Sequence, residues 1–210
     1  MANKNSSAPK LRWEECFAKL VLEKVFPDRF YQLSIADKPD LQSSVLDVGI
    51  EVTTAIPKAE KEKDHLFSQL THGTGTPEQI ERNKDRIRQL GGEYDDRGLM
   101  FSWIGYRDLN RIYSALEEKL KKLNGGGYHP FAKQYIFITD TNAIKDEKMS
   151  EIHSELCKRQ EQFTVKFDSV FIYLYGRVLI EFDITSGNNH RYIIDDVTAL
   201  ADKAFHMVNW

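Results

Sequence analysis

The sequence predicts an α/β fold in which a central mixed β-sheet is flanked by helices. Residues 134–139 are almost all apolar, which is typical of a strand buried on both faces of a central sheet. An amphipathic helical pattern precedes this run over 106–123, and a second helix is predicted after it over 146–162. Two more apolar runs, 170–174 and 178–184, predict further strands of the same sheet.

The other elements of this domain lie at its two ends. Residues 1–9 are polar and are expected to form a disordered tail. The remaining 10–210 are expected to form a single domain, since this length is sufficient for one sizeable core. The outer helices and strands are predicted over 11–26, 30–35, 191–194 and 197–208.

A charged helical segment is predicted to be inserted into the domain over 58–92. Its first helix opens with mixed lysines and acids, and its second helix carries four basic residues with few apolar ones. The glycine-bearing loop 72–76 lies between them and is predicted to be a turn, because it lacks the ending of a phosphate-binding loop. Such helices are expected at the periphery, where their basic side chains are solvated or touch a phosphate backbone.

The stretch 38–54 is predicted to bring two carboxylates together. Asp40 follows a proline and is expected at the entry of a strand. In the next strand, predicted from Val45 onward, Glu51 and Thr53 share one face. If these strands form a hairpin, the carboxylates converge and repel each other unless a cation such as Mg²⁺ lies between them. Two surface acids on a half-buried strand remain the alternative.

The residues Pro39-Asp40 and Gly49-Ile50-Glu51-Val52 resemble the signature of the PD-(D/E)xK nuclease superfamily. The predicted order of helix, strand, aspartate strand and glutamate strand is the order that this family requires. The resemblance implies a restriction-endonuclease-like fold and a divalent-metal-dependent endonuclease that hydrolyses phosphodiester bonds in nucleic acid. It further implies that Asp40 and Glu51 bind Mg²⁺ or Mn²⁺, while a lysine two positions after the glutamate orients the attacking water.

The chain departs from this signature at Thr53, which stands in the place of the motif lysine. Lys58, near the end of the glutamate strand, is predicted to reach back and replace it, with Lys61 as the second choice. The alternative is a catalytically inactive nuclease-fold protein that binds nucleic acid or a protein partner.

One further metal ligand is predicted in the first helix. Glu14 borders the apolar face of that helix, and Glu14-x-x-Phe17-Ala18 resembles a glutamate arrangement common in the superfamily. A solvated glutamate at the helix border is the open alternative. The predicted catalytic residues are therefore Asp40, Glu51, Thr53 and Lys58, and the predicted metal ligands are Asp40, Glu51 and Glu14.

Composition limits the partners and other chemistries. The formal net charge of −3 provides no global positive field, so contact with nucleic acid must come from local patches. DNA is favoured over RNA, and a homodimer is an open alternative. The sequence contains no signal peptide and no run of membrane-span length, so a cytoplasmic protein is expected. Its two cysteines are far apart and its six histidines lack metal-site spacing, so no zinc motif is present.

Overall fold

The computed structural model describes residues 11–71, 75–94, 100–101, 109–129, 131–141 and 143–208. The chain divides into two compact units. The first unit comprises Met1–Ala55 with Asp108–Trp210, and the second comprises Ile56–Arg107. The tail predicted over 1–9 lies outside the described residues.

The described residues form nine strands, six α-helices and one short 3-10 helix. The strands are β1 (Ser34–Ile35), β2 (Leu41–Ser43), β3 (Val48–Thr54), β4 (Glu93–Tyr94), β5 (Met100–Phe101), β6 (Lys133–Asp140), β7 (Ser169–Leu174), β8 (Val178–Asp183) and β9 (Asn189–Ile193). The helices are α1 (Trp13–Val25), α2 (Lys58–Thr71), α3 (Pro77–Gln89), α4 (Asn110–Asn124), α5 (Met149–Gln160) and α6 (Val197–Val208), with a short 3-10 helix at Asp146–Lys148 before α5.

The first unit contains a seven-stranded mixed sheet with the order β1-β2-β3-β6-β7-β8-β9. Strands β3, β6 and β7 are parallel, and the outer pairs are antiparallel. Nearly every residue of β6 is buried, as the apolar run predicted. The predicted α/β fold with a central mixed sheet and flanking helices is therefore confirmed.

Helices cover both faces of the sheet and create two core layers. On one face, α1 and α6 pack against residues such as Ile50 and Phe171. On the other face, α4 and α5 pack against residues such as Ile136 and Ile172. The connections from β3 to β6 and from β6 to β7 move in the same direction across the sheet, so right-handed crossovers place α4 and α5 on the same side.

Two strands near the site are shorter than the sequence predicted. The predicted strand 30–35 is reduced to Ser34–Ile35, because Phe30 instead lies in a turn after α1 and packs its ring against Tyr135 and Phe171. The strand predicted from Val45 begins only at Val48. Residues 44–47 form the hairpin turn, which leaves Val45 73% exposed despite its β-propensity.

The second unit contains α2, α3 and the antiparallel pair β4–β5. Thr76 caps α3 in a reciprocal capping box with Gln79, and Arg86 makes a forked ion pair with Glu62 of α2 at 2.6 and 3.1 Å. The predicted insertion 58–92 falls within this unit. Part of the loop predicted at 72–76 lies outside the described residues. Among the described residues, no helix is both long enough and apolar enough to span a membrane.

Candidate functional site

The register of β2 against β3 brings the two predicted carboxylates together. Leu41 of β2 pairs with Ile50 of β3, so the next step of this antiparallel register places Asp40 opposite Glu51. Leu41 and Ile50 enter the core layer under α1. Because successive side chains alternate between faces, Asp40 and Glu51 project to the opposite side of the sheet, toward α4.

Asp40 is anchored to β3 by its own side chain and by the proline before it. Its Oδ2 atom accepts a hydrogen bond of 2.8 Å from the backbone N–H of Val52, at the point where the backbone ladder of β2 ends. Pro39 packs directly on Gly49, since a Cβ atom at Gly49 would lie 2.7 Å from both Pro39 and Phe131. The glycine of the motif is therefore needed for this close approach.

A lysine from α4 bridges the two carboxylates. The Nζ atom of Lys119 lies 2.5 Å from Oε2 of Glu51 and 3.2 Å from Oδ2 of Asp40. The Glu51 side chain is only 1% exposed, while those of Lys119 and Asp40 are 15% and 17% exposed. The site is thus a nearly buried ion triad that is open to solvent on the side of Lys119 and Asp40.

Lys119 was not among the predicted site residues, although the helix pattern contains a signal. Lys119 follows the buried Leu116 by three positions and precedes the buried Leu123 by four, which places it on the apolar face of α4. A lysine on the buried face of a helix needs a carboxylate partner. The identity of that partner depends on tertiary structure, because Lys119 follows Glu51 by 68 residues.

Tyr128 supplies a fourth group, directly after α4. The turn that delivers it contains Gly126 and Gly127, both with φ of +86°, a conformation that glycine adopts readily. The half-buried Tyr128 hydroxyl lies against the Glu51 carboxylate and lowers the pKa of that group. In turn, burial and Glu51 raise the pKa of Tyr128, which stays protonated as a hydrogen-bond donor.

The charged groups of the triad shift one another's pKa values. Burial is the largest effect on Glu51 and raises its pKa; Lys119 opposes this shift and Asp40 adds to it. Burial alone would lower the pKa of Lys119, but Glu51 and Asp40 together outweigh it and raise that pKa. No hydrogen bond of regular geometry reaches the buried Oε1 atom of Glu51 from any described residue. That oxygen therefore has capacity for a further ligand.

The structure places Glu15, rather than Glu14, on the buried face of α1. Glu15 is 6% exposed, whereas Glu14 points to solvent. Burial, and then the nearby Asp40 carboxylate, raise the pKa of Glu15, while an ion pair with Arg12 partly offsets them. The predicted helical phase is wrong by one residue, because the buried face of α1 also includes Cys16 and Leu22 and so extends further round the helix than the predicted stripe.

The two remaining predicted residues lie at different places. Thr53 follows Glu51 by two positions in β3, so it shares the face of Glu51 and is half-buried. Lys58 is exposed at the start of α2 and belongs to the second unit. Its proposed role stays a prediction, while in the structure Lys119 is the lysine that contacts both carboxylates.

The donor set fits a hard divalent cation. Mg²⁺ is usually held by one or two carboxylates, with water and substrate phosphate completing its coordination. Asp40 and Glu51 supply two carboxylates, and no described residue makes a hydrogen bond of regular geometry to Oε1 of Glu51. No group of three or more His, Cys, Asp or Glu side chains arranged for a metal ion occurs among those residues. A bound cation would therefore depend on water or phosphate for its other ligands.

Comparisons with known proteins add no assignment. No protein-family model, no curated protein and no solved structure matches the chain. Any function assigned to the chain consequently rests on the geometry of the site.

Proposed function

We propose that this chain is a divalent-metal-dependent endonuclease of the PD-(D/E)xK type, in which Lys119 replaces the motif lysine. The observation that carries the proposal is the position of the Lys119 ammonium between the Asp40 and Glu51 carboxylates. Two acids and one lysine are the charged groups that the motif provides, and here the lysine comes from α4 instead of β3.

The order of elements supports the same proposal. The chain presents a helix, a strand, the aspartate strand and the glutamate strand as α1, β1, β2 and β3. Asp40 lies at the entry of β2 and Glu51 lies inside β3, as the resemblance requires. Thr53 leaves a half-buried hydroxyl where the motif lysine would stand, and the charge missing there is restored by Lys119.

Each residue has a distinct part in phosphodiester hydrolysis. Asp40 and Glu51 would hold Mg²⁺, which lowers the pKa of water and neutralises charge on the scissile phosphate. Lys119 supplies a positive charge that attracts a phosphate oxygen and orients the attacking water. Tyr128 donates to Glu51 and limits the rotation of its carboxylate. Glu15 adds negative charge near Asp40, which strengthens the attraction of the site for a divalent cation.

The direct test is cleavage of supercoiled plasmid, single-stranded DNA and RNA by the pure protein, with Mg²⁺, Mn²⁺ or EDTA. We expect metal-dependent cleavage that Asp40→Asn and Glu51→Gln abolish. Lys119→Met should lower the rate by about two to four powers of ten, the usual contribution of acid–base or charge assistance at a reacting group.

Two other lysines serve as controls. Lys122→Met removes an exposed charge from the same helix, where Lys122 pairs with Glu118, and should cleave like the wild type. Lys58→Met distinguishes the two candidate lysines, because a loss there with full activity in Lys119→Met would transfer the role to Lys58. Binding of nucleic acid without cleavage under every metal condition would refute the enzyme and favour an inactive nuclease-fold binding protein.

A further inference from the structure

We propose that Lys119 is a resident counter-ion that a divalent cation must displace, so that metal binding moves the lysine from the carboxylates to a position where it can later contact the substrate phosphate. This inference rests on the proposed function, because it concerns how the same site is loaded. The exchange replaces one cation by another at the carboxylates before any nucleic acid is bound.

The contacts of Lys119 are the first reason. Its ammonium donates hydrogen bonds to Oε2 of Glu51 and to Oδ2 of Asp40. A divalent cation shared by these carboxylates would be close to the ammonium. Two positive charges at such a distance, in a poorly solvated site, repel strongly. The lysine and the cation therefore compete for the same pair of oxygens.

The burial of Glu51 is the second reason. Its side chain is 1% exposed, and burial penalises its charge unless a cation accompanies it. Without a bound metal, Lys119 is the cation that accompanies Glu51. A divalent cation meets this need more completely, because Glu51 also keeps the Oε1 atom, which no described residue engages with regular geometry.

The partial exposure and the flexibility of the Lys119 side chain permit the exchange. The Lys119 side chain is 15% exposed, so the protein does not enclose it completely. Its four-carbon stem leaves from the middle of α4 and can rotate without moving the helix. Once displaced, the ammonium stays beside the metal and lies where a bound phosphate would need a positive charge.

The experiment is a titration of metal-free protein with Mn²⁺, without nucleic acid, followed by electron paramagnetic resonance and calorimetry. Lys119→Met should bind Mn²⁺ at least about tenfold more tightly than the wild type, since one nearby charge changes the proton affinity of a carboxylate by about 1–3 pKa units. Lys119→Arg keeps the charge and should not show this gain. Lys122→Met removes the same formal charge away from the carboxylates and controls for long-range effects.

The outcomes separate the exchange from the nuclease proposal. If the wild type binds Mn²⁺ and Lys119→Met binds it equally or less tightly, the exchange is wrong and the nuclease proposal stands. If neither protein binds Mn²⁺ and neither cleaves, both proposals fail. Should Lys119→Met fold poorly without metal, Lys119→Gln gives the same comparison through Tm: a larger Mn²⁺-dependent rise than in the wild type supports the exchange, and an equal or smaller rise overturns it.

Discussion

Glu15 shows how a single residue carries the excess negative charge of the site. Asp40 and Glu51 share Lys119, whereas the ion-pair partner of Glu15 within the described part of the chain is the exposed Arg12. Burial and the Asp40 charge both make the ionised form of Glu15 unfavourable. The folded protein therefore binds a proton at Glu15 more tightly than the unfolded chain does.

The pH dependence of stability tests this interpretation of Glu15. Its pKa is raised in the folded state above the ordinary value of 4.5, so its stabilising contribution is present below that pH and is lost as the pH rises through the folded value. The stability of the wild type relative to Glu15→Gln should therefore fall as the pH rises above 4.5. Urea unfolding of both proteins across this range measures the difference.

Glu14→Gln is the matched control for that experiment. Glu14 is exposed on the same turn of α1, so its substitution should leave the stability profile parallel to that of the wild type. A wild-type protein whose stability relative to Glu15→Gln stayed constant or increased over this pH range would show that Glu15 is well solvated or well paired in solution.

At the scale of elements, the β2–β3 hairpin positions Asp40 through Gly49. Replacing Gly49 by alanine would put a methyl group 2.7 Å from Pro39 and from Phe131, so the loop that carries Asp40 must move. Gly49→Ala should destabilise the protein by about 1–3 kcal/mol, as is typical of overpacking, and should also weaken Mn²⁺ binding. Thermal unfolding and the Mn²⁺ titration measure the two effects.

Gly187→Ala distinguishes the position of Asp40 from a general loss of stability. Gly187 has a φ of +78° in a turn where an added methyl group would meet no atom within 4 Å, so alanine there strains the backbone alone. It should lower Tm and leave Mn²⁺ affinity unchanged. Equal losses of metal affinity in both variants would mean that Gly49 has no specific part in placing Asp40.

The elements themselves were largely predictable, because their patterns are local. The apolar run of β6, the amphipathic face of α4 and the turn residues after α4 all indicate their structures directly. Asp40 and Glu51 were also found, since a hairpin needs only nearby residues. The partner of their charges was not found, because Lys119 reaches them only after the crossover from β3 to β6 has formed. The prediction that Glu14 borders the buried face of α1 was wrong for a related reason. The width of the buried face of a helix depends on the tertiary packing around it.

At the scale of the whole molecule, all the groups of the ion site belong to the first unit. Asp40 and Glu51 precede the second unit in the chain, and Lys119 and Tyr128 follow it. The first unit also contains the entire seven-stranded sheet. The residues Ile56–Arg107 are therefore expected to be dispensable for assembling the site.

Replacing 56–107 by a short Gly/Ser linker tests this division. A connection of about 2–6 residues is normal between a strand and the following helix, so β3 and α4 can be joined directly. The shortened protein should unfold cooperatively and bind Mn²⁺ with unchanged affinity. Loss of cooperative unfolding would show that the first unit depends on the second. Retained metal affinity with reduced cleavage would assign substrate binding to the second unit.

The split of the site across the chain has a consequence for biosynthesis. Glu51 leaves the ribosome 68 residues before Lys119, and at synthesis rates of about 5–20 residues per second this separation lasts roughly 3–14 s. The central partner of β3, strand β6, is synthesised later still. A nascent or prematurely terminated chain thus holds both acids without the lysine or the sheet that orders them. The proposed hydrolase would therefore remain inactive until translation has passed β6.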